Sequence, residues 1–188
     1  LLMGKGLPDK MGIHATKPKR LITKSIQDSA IIFHKGYYYL NYTERVMAAA
    51  IRKLPETFFP SFFQREFKKF ADIRVFYLDG ECYSMAIFSQ QNKISAIDFR
   101  KYPSLPNRCV PFRLPPTCSA QVSAFMKQTG HRTGSLDFIL TADGNLVFLE
   151  LNPVGQFGFV SYCCNYNLEQ KIAEHLLKKV LPFTTPMS

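Results

Sequence analysis

Residues 20–26, "RLITKSI", alternate apolar and polar side chains, the two-residue period of a half-buried strand. "HKG" (34–36) predicts a turn into a second strand at "YYYLNY" (37–42). The period then changes. Met47, Ala50, Ile51 and Leu54 recur at helical spacing, which predicts a helix capped by Thr43 and stopped by Pro55. Strand patterns return at 61–67, 72–80 and 81–89, with Asp79-Gly80 as the hairpin turn between the last two. Residues 90–116 are polar and proline-rich, with one short strand expected near Val110–Leu114. A helix is predicted after Pro116, with Val122, Phe125 and Met126 on one face and Gly130 just past its end. Two strands flank Asp143-Gly144. The last helix begins after Asn167, with Gln170 placed for a capping box and Leu168, Ile172, Leu176 and Val180 at every fourth position. Paired strands with helices between them predict an α+β architecture. Residues 1–19 show no period and read as a leader or linker.

One stretch breaks the pattern. In "NLVFLELNPVGQFG" (145–158) an apolar strand carries Glu150, and Asn152 follows two residues later. A two-residue type I′ turn at Asp143-Gly144 pairs Ala142 with Asn145 and Thr141 with Leu146. Continued outward, that register sets Asp137 opposite Glu150. Cross-strand partners share a face, and so do residues two apart. Asp137, Glu150 and Asn152 therefore project together, while Phe138, Leu140, Val147 and Leu149 are expected on the core face. Two facing carboxylates repel, which calls for a shared proton, a basic side chain or a divalent cation. Two carboxylates and a carboxamide form an all-oxygen set suited to Mg²⁺ rather than zinc. The bland alternative is a solvent-facing hairpin with its acids apart, and the pattern alone leaves both open.

Composition narrows the partners. The net charge of +10 favours anionic ones, with "KPKR" (17–20) and "REFKK" (65–69) the densest basic clusters. No RNA-binding signature is present, so nucleic acid is not an expected partner. No apolar run approaches the roughly 20 residues that span a bilayer, and residues 1–10 lack the apolar core of a signal peptide. The five cysteines are odd in number and form no CxxC, which fits free buried thiols and a reducing, cytoplasmic setting. The four histidines show no metal spacing. A length of 188 residues allows one sizeable domain or two small lobes.

Taken together, "LITKS" (Lys24), "FFQREF" (Gln64, Glu66), "DIRVF" (Asp72, Arg74) and Asp137…Glu150-x-Asn152 resemble, in order and spacing, the elements of ATP-grasp ligases. "RTGSLDFI" (132–139), "FLELNPVGQFGFVS" (148–161) and "CNYNLEQKIA" (164–173) are similar to the branch that modifies ribosomally made peptides, the microviridin-type or graspetide macrocyclases. The resemblance implies two α+β lobes clasping ATP, expected at 20–80 and 81–188, and a further N-terminal domain that this chain lacks. It implies ATP and Mg²⁺, two ions of it, as cofactors. Asp137, Glu150 and Asn152 would hold the metal. Lys24, Gln64, Glu66, Phe67 and Asp72 would bind nucleotide, and Arg100 and Arg74 would meet the γ-phosphate or an acyl phosphate. The implied reaction activates Asp or Glu side chains of an acidic precursor peptide with a leader, forming ester or amide cross-links. A ligase that adds free amino acids, of the ribosomal-protein glutamate ligase type, and an inactive peptide- or nucleotide-binding fragment are the rival readings. A homodimer stays open.

Overall fold

A computed structural model describes residues 20–26, 31–57, 60–91, 93–101 and 107–180. The leader reading of residues 1–19 lies outside them. The described chain forms two compact units, one of residues up to Lys68 with those from Ser89 to Lys101, the other of Lys69–Phe88 with those from Asn107 onward.

In the first unit β1 (Leu21–Lys24) is the centre of an antiparallel sheet, flanked by β4 (Glu44–Val46) and β5 (Phe62–Arg65). A separate hairpin joins β2 (Ile31–His34) to β3 (Tyr37–Leu40). Its turn residues Lys35 and Gly36 both have positive φ, 49° and 81°, as a type I′ turn requires. The helix expected from Thr43 to Leu54 shrinks to α1 (Ala48–Arg52). Residues Glu44–Val46 instead pair with β1, and the Thr43 N–H donates to the Asp98 carboxylate at 2.9 Å. A ladder and a charged acceptor satisfy the backbone groups that the longer helix would have used.

The second unit is built on a five-stranded antiparallel sheet. Its strands are β6 (Lys69–Leu78), β7 (Glu81–Ile87), β8 (Cys109–Pro111), β9 (Thr133–Thr141) and β10 (Leu146–Asn152), in the order β10-β9-β6-β7-β8. The Asp79-Gly80 turn joins two neighbours of one sheet, so residues 69–78 lie in the same unit as 81–87 and the units divide after Lys68 rather than at residue 80. One face of the sheet presents Ala71, Ile73, Val75, Tyr77, Leu136 and Phe138 to α2 (Pro116–Gln128), which contributes Val122 and Met126 to the same core. Gly130 closes α2 with φ +74°.

Two helices follow β10. The sequence pattern missed the first, α3 (Gly158–Cys164), which packs against β6, β7 and β8. Seven residues are too few for a helical period to stand out. The second, α4 (Leu168–Val180), begins where expected. Its cap differs: Ser161 of α3 accepts the Leu168 N–H at 3.0 Å, and Gln170 donates forward to Glu174 instead of back to the helix start. The apolar stripe is buried at Leu168, but Leu176 is exposed.

Candidate active site

The expected Asp137–Glu150 pairing is present, but by a different route. Thr141 and Asn145 bond to each other across a three-residue loop, with the Gly144 N–H donating to the Thr141 carbonyl at 3.0 Å and Gly144 at φ +85°. This turn pairs Leu146 with Leu140 and Phe148 with Phe138, one residue off the two-residue register. A bulge between Phe148 and Glu150 then absorbs Leu149, and the ladder resumes with Glu150 opposite Asp137 and Asn152 opposite Ser135. The two one-residue departures cancel. Their trace remains on the core side: Leu146, not Val147, packs on the core with Leu140, and Val147 pairs with Ile139 on the Asp137 side.

β6 extends these pairs into rows. Arg74 lies beside Asp137, which lies beside Glu150; Phe76 lies beside Ser135, which lies beside Asn152. Arg74 Nη1 donates to both Asp137 oxygens at 3.3 Å, and both side chains are mostly buried. A guanidinium thus offsets part of the repulsion between the facing acids. The Asn152 Oδ1 accepts the Val154 N–H at 3.2 Å, leaving a second lone pair on the same oxygen. Among the described residues no group of three or more His, Cys, Asp or Glu is arranged to hold a metal. The set here has two carboxylates and relies on an amide for its third oxygen. Hard oxygen donors on one face suit Mg²⁺, which binds through one or two carboxylates and takes its other ligands from water and phosphate. The residues present therefore fit the ion.

Asp72 lies on the same face one step along β6. Lys69 Nζ donates to its two oxygens at 2.8 and 2.9 Å, and both side chains are largely buried. Sequence reasoning missed Lys69 as a site residue. In a regular strand residues three apart point to opposite faces. The register shift between Lys69 and Ala71 turns Lys69 onto the face of Asp72, and that shift leaves no mark in the hydrophobic pattern.

The remaining candidates belong to the first unit. Lys24, at the end of β1, holds its ammonium 5.2 Å from the centre of the Phe62 ring. Gln64, on β5, pairs with Ile22 of β1. Glu66 takes a two-point bond from Arg45, at 2.7 and 2.5 Å, and its N–H donates to the Arg20 carbonyl. Phe67 lies under the Arg65 guanidinium at 5.3 Å. Arg100 grips Asp98 with Nε at 2.9 Å and Nη2 at 2.7 Å. Burial opposes ionisation of Asp98, yet the hydrogen bonds from Arg100 and Thr43 and the Arg100 charge prevail and hold its pKa at about 2.

No family model matches the sequence, and no curated protein matches it. Solved structures do. A RiPP-associated ATP-grasp ligase of Chryseobacterium gregarium, in complex with ADP and a leader and core peptide, superposes with a TM-score of 0.76 at 21% identity over 86% of this chain and 49% of its own. The macrocyclase MdnC of Microcystis aeruginosa MRC, bound to precursor peptide MdnA, gives 0.73 at 26% identity over 94% and 53%. The ATP-grasp ligase PsnB, with minimal precursor, Mg and ADP, gives 0.68 at 21% identity over 96% and 52%. The chain spans about half the length of each.

Proposed function

We propose that this chain, which has the ATP-grasp fold of the peptide-modifying ligases, is part of an enzyme that uses ATP to activate carboxylate side chains of a ribosomally made precursor peptide. The observation that carries the reading is the row Arg74–Asp137–Glu150, with Asn152 on the same face, in a fold otherwise seen with nucleotide, Mg and peptide.

A carboxylate is a poor electrophile, so it is converted to an acyl phosphate before a Ser, Thr or Lys side chain attacks. Phosphoryl transfer needs positioning and charge neutralisation more than covalent help. Asp137, Glu150 and Asn152 would hold Mg²⁺, which when bound neutralises phosphate oxygens. Arg74, held by Asp137, would meet a phosphoryl group with its planar fork. In the first unit Lys24 supplies a cation for phosphate, residues Gln64–Phe67 supply backbone groups for the base, and Arg100 supplies a second guanidinium oriented by Asp98. Asp72, held by Lys69, belongs to the nucleotide set. The attacking group leaves its proton to solvent or product phosphate, and phosphate departs as the ester or amide forms. The charge of +10 favours an acidic peptide.

Calorimetric titration of the chain with ATP and Mg²⁺ tests the assignment. Binding that requires Mg²⁺ and is lost in Glu150→Ala is the expected result; equal binding by both proteins would remove the metal site. Mass spectrometry of a peptide treated with the enzyme distinguishes the reaction, since loss of water marks cross-linking and a mass gain marks amino-acid addition.

A further inference from the structure

Ser135 occupies the middle of the row Phe76–Ser135–Asn152. It is 0% exposed, and its hydroxyl has no hydrogen-bond partner among the described residues. A buried hydroxyl left unpaired forfeits its hydration without a replacement bond, which destabilises the fold. The chain after Asn152 covers this row. The Asn152–Val154 bond bends it, and Gly155, at φ +59°, comes so close that a side chain there would meet the Gly134 Cα at 3.2 Å. Beyond it the Phe157 ring lies 5.4 Å from that of Phe76. Ser135 is thus enclosed between a ring, a glycine contact and the Asn152 side of the sheet.

Antiparallel partners on one face bring their Cβ atoms to about 5 Å, within reach of an amide–hydroxyl hydrogen bond. We propose that Ser135 is a positioning residue for Asn152, its hydroxyl accepting an N–H from the Asn152 carboxamide and so aiming the carboxamide oxygen at a divalent cation held with Asp137 and Glu150. A carboxamide is an oxygen ligand at one end and a donor at the other, so anchoring the nitrogen fixes the direction of the oxygen. With the carboxamide so anchored, the Ser135 hydroxyl has the partner it otherwise lacks among the described residues. The inference rests on the metal-site reading above.

The test is a Mg²⁺ titration of ADP binding, by calorimetry on the full chain, for the parent and for Ser135→Ala, Ser135→Cys, Asn152→Ala and Glu150→Ala. Both Ser135 variants should raise the half-saturating Mg²⁺ concentration about tenfold. They should leave ADP binding without Mg²⁺ unchanged, and adding Ser135→Ala to Asn152→Ala should produce no further shift. Without ligand, Ser135→Ala should melt at the parent's temperature or above, because it deletes an unpaired group. A Ser135→Ala protein that titrates like the parent while Glu150→Ala loses its Mg²⁺ dependence would overturn the role of Ser135 and leave the metal site standing. A parent whose ADP binding ignores Mg²⁺ would overturn both.

Discussion

Asp98 shows how one side chain is tied into the first unit. It is buried, accepts from Arg100 through both oxygens and takes the Thr43 N–H. Its pKa is lowered, so the stability it contributes is full above the unfolded value near 4 and is lost as pH falls through about 2. A shift of that size corresponds to about 2 kcal/mol. Asp98→Asn should therefore lower the unfolding free energy by about that amount at pH 7, measured by urea denaturation, and the gap to the parent should close between about pH 4 and pH 2. The thiols give a second residue-scale expectation. Burial pushes Cys82 up to about 11, with the Cys118 thiol adding to the shift, and pushes Cys109 up to about 12 beside Cys163 and Cys164. Thiolate is scarce at such positions, so alkylation of Cys82 and Cys109 at pH 8 should run at least about a hundredfold slower than that of a free thiol.

At the scale of elements, the β9–β10 hairpin carries the candidate site. That the chain turns at Asp143-Gly144 was legible, but the expected Asp137–Glu150 pairing holds only because two one-residue departures cancel. The route was not legible: a three-residue loop and a bulge at Leu149 replace a two-residue turn, and only backbone geometry distinguishes them. Gly144 sits in the left-handed region with open space around its Cβ position, so Gly144→Ala tests backbone strain alone. It should cost about 1 kcal/mol, read from thermal denaturation. The Arg74–Asp137 pair joins β6 to β9. Arg74→Ala leaves two acids facing each other without their guanidinium and should cost about 3 kcal/mol. Asp137→Asn should relieve part of that loss, so the double variant should be less destabilised than the two single losses combined, a coupling that a double-mutant cycle measures.

For the molecule as a whole, the net charge gives a test of the proposed peptide partner. An excess of ten positive charges acts over a range that salt shortens, from about 10 Å at 0.1 M to about 3 Å at 1 M. If the proposed function holds, binding of an acidic precursor peptide should weaken at least tenfold between those salt concentrations, checked by fluorescence anisotropy. Affinity that ignores salt would mean that apolar contacts, not charge, hold the peptide. Among the described residues no helix is long and apolar enough to cross a membrane.

Local chemistry was enough to determine much of this from the sequence by itself. Asp79-Gly80, Gly130 and Asp143-Gly144 mark where the chain turns, because few residues tolerate those backbone angles. Alternation marks which side of a strand meets the core, and so Asp137, Glu150 and Asn152 could be placed on one face. Only the tertiary structure decided what lies beside them. Arg74 reaches Asp137 across a pairing 63 positions apart in sequence, and Lys69 reaches Asp72 through a bulge. Glu44–Val46 became a strand because β1 was there to pair with it, and Ser135 became a buried, unpaired hydroxyl because Gly155 folded over Gly134. These are interactions between distant segments, and a one-dimensional pattern of hydrophobic and polar residues carries only the preferences of near neighbours.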